Sequence, residues 1–315
     1  MKKFLTSASI LFLASCSYTN YAASTTESTE EQILVTHFSG STYVPLNPQR
    51  IIVLDMATFE TMSYLGVSDR IVGTSTQDLT PFVNSYYNIP NIGTMHQPNL
   101  EAIIAQEPDL IIISGRSRPM IEELNMVAPT IDLAINNFYF WEYFTRNTYH
   151  LGKIFSKEIE IERKLEEIYL VKNETIELAE NYEGSALIVL YNNGALSVFG
   201  PNSRFGGLVH DTLKLPYSDG NIEIVGHGMV VSNEYILDQN PDIILVIDRG
   251  AWAGSGNPEM NRSDFENPLI QLTNAYQNNN INYLDSVIWY VSPGGIRGVK
   301  GQILEVQNAI LNAIN

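Results

Sequence analysis

One cysteine, no second apolar run after the N-terminal stretch that could cross a bilayer, and half as many basic as acidic side chains set the first limits on this chain. A lone thiol cannot close an internal disulfide, so covalent bridges do not hold the fold. The lack of a long apolar run excludes a membrane-spanning helix in the body of the chain. With 18 Lys and Arg against 35 Asp and Glu, the formal net charge is −17, which argues against nucleic acid as a partner. Catalytic signatures are missing as well. There is no G-x-S-x-G elbow, no H-E-x-x-H, no phosphate loop and no CxxC pair, so an enzyme is not expected. Gly254-Ser255-Gly256 does not open a helix after a strand and reads as a mobile loop. The five histidines, His37, His96, His150, His210 and His227, include no i, i+4 pair, so a closed zinc site is not expected either. His37 and His150 read as surface or helix-end residues and His210 as part of a helical stretch from Gly206 to Leu213. His96, in Gly93-Thr94-Met95-His96, stays open as a site residue.

What the chain does have begins with Met1-Lys2-Lys3, an apolar stretch from Phe4 to Ala14, and then Leu13-Ala14-Ser15-Cys16. A basic start, a short apolar region and small residues at a cleavage point describe an export signal over residues 1–15. The cysteine after Leu-Ala-Ser resembles a bacterial lipobox, which makes Cys16 the expected lipidated first residue. Residues 16–32, rich in Ser, Thr, Ala and Glu, read as a flexible tether. A soluble body held near a membrane by its lipid is what these features lead one to expect.

The body alternates strand and helix. Ile33–Thr36, Arg50–Asp55 and Arg70–Gly73 read as strands, with a helix from Thr58 to Leu65 ended by Gly66 and a turn at Pro45, Asn47 and Pro48. An internal repeat organises the rest. Asn99-Leu100-Glu101 through Pro108-Asp109 and the strand Leu110–Ile113 have the layout of Ser232-Asn233-Glu234 through Pro241-Asp242 and Ile243–Val246, with Glu101 matching Glu234 and Gln106 matching Gln239. Each copy is a capped helix, a Pro-Asp break and a buried strand. Between the copies Lys157–Glu180 is helical, with Ile161, Leu165, Ile168, Ile176 and Ala179 on one face and Lys172 as the polar entry on that stripe. The expected architecture is therefore α/β: two Rossmann-like lobes with central, mainly parallel sheets, residues 33–155 and 183–315, joined by one long backbone helix over 156–182.

Arginines carry the clearest chemistry. Arg116 follows the first repeat strand and Arg249 holds the matching place after the second, at the carboxyl ends of strands where open α/β sheets bind ligands. Arg204, in Asn202-Ser203-Arg204-Phe205-Gly206, precedes a helix, so all three point to an anion held between the lobes. His227 sits in Gly226-His227-Gly228, and Tyr290 follows the strand Ile281–Asp285, before a final helix expected from Val299 onward.

Ile112-Ile113-Ser114-Gly115-Arg116, Ser203-Arg204-Phe205-Gly206, Val225-Gly226-His227-Gly228, Asn240-Pro241-Asp242 with Val246–Arg249, and Tyr283-Leu284-Asp285 with Trp289-Tyr290 together resemble a known family. It is that of the two-lobed periplasmic binding proteins with a helical backbone that deliver ferric siderophores to ABC importers, in the catecholate branch with its enterobactin-, petrobactin- and anguibactin-type lipoproteins. The resemblance implies a basic triad at Arg116, Arg204 and Arg249 around the anionic iron complex, with Trp289 as a further ligand contact. It implies that His227 and Tyr290 complete the iron coordination when the siderophore leaves sites open. It also implies a monomer with no intrinsic cofactor, served by an ABC permease and its ATPase, with Glu60 and Asp211 as the permease contacts. Haem, cobalamin or another iron chelate is the alternative ligand, and an enzyme acting on the siderophore the alternative activity. One departure from the family's pattern is Pro293 in the turn Ser292-Pro293-Gly294-Gly295, which is usually Gly- or Ser-rich.

Overall fold

The computed structural model describes residues 31–76, 88–251 and 259–315. The export signal, Cys16, nearly all of the tether and the Gly254-Ser255-Gly256 loop lie outside the described residues. Among the described residues no helix is long and apolar enough to cross a membrane.

The chain opens with an antiparallel hairpin, β1 (Gln32–His37) and β2 (Gly40–Pro45). Only its first strand was expected; the hairpin turns at Phe38-Ser39, and the turn expected at Pro45, Asn47 and Pro48 follows β2, with Asn47 at a φ of 53°. The first lobe continues through β3 (Ile51–Leu54), α1 (Met56–Tyr64), β4 (Ile71–Thr74), α2 (Leu100–Ile104), β5 (Leu110–Ile113), α3 (Ile121–Asn125) and β6 (Thr130–Asp132). Its sheet has the order β4-β3-β5-β6 and is parallel throughout. Strands covered by helices on both faces need no polar side, which is why β3 and β5 are apolar and buried at every position.

Two helices then follow, α4 (Phe140–Ile154) and α5 (Glu158–Glu180), separated at Ser156, whose φ of 54° breaks the helical run. At 23 residues α5 spans roughly 34 Å. Its buried face is Ile161, Leu165, Ile168, Thr175 and Ala179, not Ile176 as the apolar pattern suggested. Thr175 fits the 3-4-3-4 spacing, and its hydroxyl is satisfied by the Val171 carbonyl at 2.8 Å, so it is buried at little cost. Lys172, on the same stripe, lays its ammonium over the rings of Trp141 and Tyr169 at 5.0 and 4.9 Å.

The second lobe comprises β7 (Ala186–Asn192), β8 (Ala195–Phe199), β9 (Met229–Val231), α6 (Asn233–Gln239), β10 (Ile243–Asp248), α7 (Arg262–Phe265), α8 (Asn274–Gln277), β11 (Ile281–Leu284) and α9 (Ile296–Ile314). Its sheet runs β11-β10-β7-β8-β9, with β7, β10 and β11 parallel and β8 and β9 antiparallel. The last helix starts at Ile296, earlier than Val299, and packs along α5 and against α1 of the first lobe. Because α4, α5 and α9 touch the inner faces of both sheets, a single apolar cluster runs from Val35 and Ile51 through Phe144 and Ile168 to Ile247 and Ile310. Each sheet has a separate cluster on its outer face.

The repeat is realised atom by atom. Asn99 caps α2 by accepting the Ala102 N–H, and Ser232 caps α6 by accepting that of Tyr235. Glu107 and Asn240 both turn left-handed at the helix ends, with φ of 46° and 41°. Asp109 then accepts the N–H groups of Gln49 and Arg50 ahead of β3, as Asp242 accepts that of Ser185 ahead of β7. In each lobe the aspartate ties the start of one strand to its parallel neighbour.

Candidate functional site

The two sheets present the carboxyl ends of their strands to a common cleft of about 900 Å³. From the first lobe, the turn after β3 brings Asp55 and the turn after β5 brings Ser114, Arg116 and Arg118. The order β4-β3-β5 makes the gap between β3 and β5 a topological switch point, the place where open sheets hold ligands. From the second lobe come Arg249 after β10 and Tyr290, in the π-helical turn Val287–Val291 after β11. Arg204 precedes another π-helical turn, Gly207–Thr212. The lobes touch closely here, since a Cβ on Gly207 would collide with the backbone of Asn137, so only glycine fits.

Tyr290 is the centre of the arrangement. Its carbonyl accepts a hydrogen bond from Arg204 Nη2 at 2.6 Å and another from Arg116 Nη2 at 3.3 Å. Arg204 also lies over the Tyr290 ring at 4.4 Å, and Arg249 over the same ring at 5.6 Å. Gathering cations has an electrostatic cost: desolvation first, then the Arg116 charge, lowers the Arg204 pKa to about 10, with Tyr290 opposing the shift. The guanidinium still stays charged at neutral pH. Asp55 caps α1 by accepting the Thr58 N–H at 2.9 Å and hydroxyl at 2.7 Å, and desolvation raises its pKa. His227 and His96 are exposed and line the cleft. Among the described residues no group of three His, Cys, Asp or Glu side chains could hold a metal ion by itself.

Of the expected site residues, the structure brings together Arg116, Arg204, Arg249, His227, Tyr290 and His96. It corrects two others, Trp289 and Glu60, and leaves Asp211 partly exposed. Trp289 faces away from the cleft: it is 1% exposed, its indole N–H donates to Glu305 at 2.6 Å, and its ring meets Phe205 edge-on. With Phe205, over which Arg204 also lies at 5.1 Å, Trp289 backs the site instead of touching ligand. Glu60 is 2% exposed and faces inward, accepting the Arg297 N–H at 3.1 Å, so it offers no free surface charge to a permease. Asp211 is half-buried and accepts the Asn202 N–H at 2.6 Å, which holds the turn leading to Arg204. A smaller correction concerns His37, which is buried and bonded to Thr42 at 3.0 Å.

Sequence reasoning missed Asp55, Arg118 and Phe38, all of which line the cleft. Arg118 could have been found, since it shares the strand-end turn with Arg116. Phe38 could not, because the hairpin that places it was not foreseen.

Comparison with known proteins gives the same outline. Residues 51–288 match the family described as periplasmic binding protein. The petrobactin-binding protein YclQ of Bacillus subtilis is 32% identical over 322 residues, 98% of this chain and 99% of that one. Its crystal structure superposes with a TM-score of 0.84 at 34% identity, covering 89% of this chain and 99% of that one. The ferric-anguibactin-binding protein FatB of Vibrio anguillarum is 32% identical over 86% of this chain and 85% of its own. The crystal structure of the periplasmic catecholate-siderophore binding protein VctP from Vibrio cholerae has a TM-score of 0.83 at 29% identity, covering 88% of this chain and 100% of that one.

Proposed function

The chain belongs to the periplasmic binding protein family, and from that premise we propose that it captures a ferric siderophore of the catecholate type between its lobes and delivers it to an ABC permease. The observation that carries this reading is the charge of the cleft. Among the described residues Arg116, Arg204 and Arg249 line it with a single carboxylate, Asp55, beside Arg118, whose charge Asp132 offsets, although acidic residues outnumber basic ones almost two to one in the whole sequence. Ferric iron is a hard ion that prefers anionic oxygen, so its catecholate complexes are strongly negative. Arginine neutralises such a ligand without losing its own proton. Repulsion by the remaining acidic surface is screened beyond a Debye length of about 8 Å at physiological salt, which leaves the local arginines in control. His227 and Tyr290 supply an imidazole and a phenol to an iron centre whose siderophore leaves positions open. Names of the relatives, petrobactin-binding, ferric-anguibactin-binding and catecholate-siderophore binding, support the same ligand class.

Delivery requires a surface that the permease can read. Glu60 is buried and Asp211 only partly exposed, whereas Glu101 and Glu234 are exposed acids at matched positions of the repeat, one in each lobe. This pair presents the lobe symmetry outward and is our reading of the permease contact; replacing both with alanine should abolish stimulation of the importer's ATPase while ligand binding persists. Lipid anchoring through Cys16 on the periplasmic side belongs to the same reading. The binding claim is tested by titrating the protein with the ferric complex of a catecholate ligand and following tyrosine and tryptophan fluorescence. Saturable quenching is expected, and its absence would sink the assignment.

A further inference from the structure

Arg116 and Arg118 leave the same turn in different directions. Arg116 joins the group around Tyr290, while Arg118 turns to the hairpin tip between β1 and β2. There its guanidinium lies 3.8 Å from the centroid of the Phe38 ring. Its Nε donates at 2.6 Å to Asp132, a fully buried carboxylate that also accepts the Ser39 hydroxyl at 2.7 Å and the Ala134 N–H at 3.0 Å. The Phe38 backbone is tied to the same place, its N–H donating to the Asp132 carbonyl at 2.9 Å. Behind it, Phe38 meets Tyr143 at 5.9 Å, and Tyr143 is in turn covered by Arg146 at 4.0 Å. Side chain, ring and carboxylate are thus each held by a neighbour.

The consequence is a guanidinium with a fixed plane and an assigned edge. Asp132 offsets its charge and occupies Nε, so Arg118 adds little to the net positive field of the cleft. What it keeps is the pair of Nη groups, which make no hydrogen bond to the described residues, on a side chain that is 35% exposed and lines the cleft. Two parallel N–H donors in one plane match the two oxygens of a carboxylate. Among the described residues no hydrogen bond or ring contact links Arg118 to Tyr290, so Arg118 stands outside the group gathered around that residue.

We propose that Arg118, held flat by Phe38 and Asp132, is a specificity-determining residue that receives a carboxylate on the periphery of the ligand, outside the set of oxygens that coordinate iron. This rests on the reading of the cleft as a ferric-siderophore site. A matched pair of synthetic bis-catecholamide ligands, identical except that the linker of one carries a carboxylate, separates the two ideas. The unaltered protein should bind the ferric complex of the carboxylate ligand about tenfold more tightly, the effect expected of one charge-assisted pair. Arg118→Gln should reduce that preference to less than about twofold, weakening the complex of the carboxylate ligand far more than the carboxylate-free one. Because Arg118→Gln strands Asp132, thermal melts accompany it, and Phe38→Leu, which keeps the ion pair, should give an intermediate preference. No preference in the unaltered protein, or equal weakening of both complexes by Arg118→Gln, overturns the proposal. Failure of the unaltered protein to bind either complex would overturn the siderophore reading and this proposal with it.

Discussion

The two copies of the repeat share a scaffold and differ at its mouth. In both, a capped short helix, a left-handed turn, a Pro-Asp pair and a buried strand lead to an arginine, Arg116 in one lobe and Arg249 in the other. Beyond the strand the copies diverge. Arg116 crosses to the other lobe and donates to the Tyr290 carbonyl, whereas Arg249 reaches only the face of the Tyr290 ring and makes no hydrogen bond to the described residues. The first lobe also turns carboxylates inward around its side of the cleft: Asp55 caps α1, Glu60 caps α9 and Asp132 holds Arg118. The second lobe turns Asp248 inward in the same way, accepting the Gly250 and Met260 N–H groups at 2.8 Å, and each lobe presents an exposed histidine, His96 and His227. The difference teaches that matched scaffolds can fix their strand-end arginines to different degrees, Arg116 by a hydrogen bond across the lobes and Arg249, among the described residues, by a ring contact.

The largest effect expected from this contrast lies with the arginines. Arg204 and Arg116 hold the Tyr290 carbonyl in the free protein, and Arg249 does not. Arg204→Gln should therefore weaken binding of a ferric catecholate by about 100-fold, the scale of losing a desolvated, charge-bearing hydrogen bond, and should lower the melting temperature as well. Arg249→Gln should weaken binding and leave the melting temperature unchanged. Titration and melting of both variants check this, and equal melting shifts would break the comparison.

These contrasts divide what was legible in the sequence from what was not. The repeat, its caps and the two strand-end arginines could be read because local rules fix them: N-cap chemistry, the Pro-Asp break and the carboxyl end of a buried strand. The direction of a side chain beyond such an element depends on tertiary packing, which no local rule gives. Trp289 and Tyr290 are adjacent, yet the π-helical turn Val287–Val291 sends the first into the core and the second into the cleft. Glu60 has the look of a helix-surface acid, but α9 returns from the far end of the chain to cover it. Thr175 took the place expected for Ile176 because it, and not Ile176, continues the spacing from Ile168 to Ala179, and its hydroxyl is satisfied by the Val171 carbonyl.

Glu60 offers the next largest effect, and it acts where α1 of the first lobe meets α9 of the second. Gly295 leaves α9 without a side-chain cap of its own, and α1 supplies one across the lobes. Thr61 Oγ1 accepts the Ile296 N–H at 3.2 Å and Glu60 accepts that of Arg297, at an approach so close that any Cβ on Gly295 would collide with the carboxylate. Burial raises the Glu60 pKa from 4.5 to about 7 against the opposing pull of Arg297. With the folded value above the unfolded one, the unfolded chain loses its proton first as pH rises. The associated stability is thus complete below pH 4.5 and lost by about pH 7, a change on the order of 3 kcal/mol. Glu60→Gln should flatten this slope: between pH 5 and pH 8 its unfolding free energy should fall by less than that of the unaltered protein. Parallel pH profiles would show that Glu60 is not the titrating group.

The smallest effect tests the scaffold that the lobes share. Asp109 and Asp242 accept backbone N–H groups at the start of the neighbouring strand, Gln49 and Arg50 in one lobe and Ser185 in the other. They sit on the side of each sheet opposite the cleft, at the amino ends of β5 and β10. Converting either to asparagine keeps the shape but weakens a charge-assisted acceptor, so each variant should lose about 1 kcal/mol of stability with ligand affinity within about twofold of the unaltered protein. Denaturant titration and the fluorescence assay read the two quantities separately. Similar losses from both variants would show that the copies are equivalent as scaffolds, which places their difference in the cleft alone. A marked change in affinity from Asp242→Asn but not from Asp109→Asn would mean that the second lobe transmits scaffold strain to its less constrained mouth, and that the division between shared support and divergent site fails.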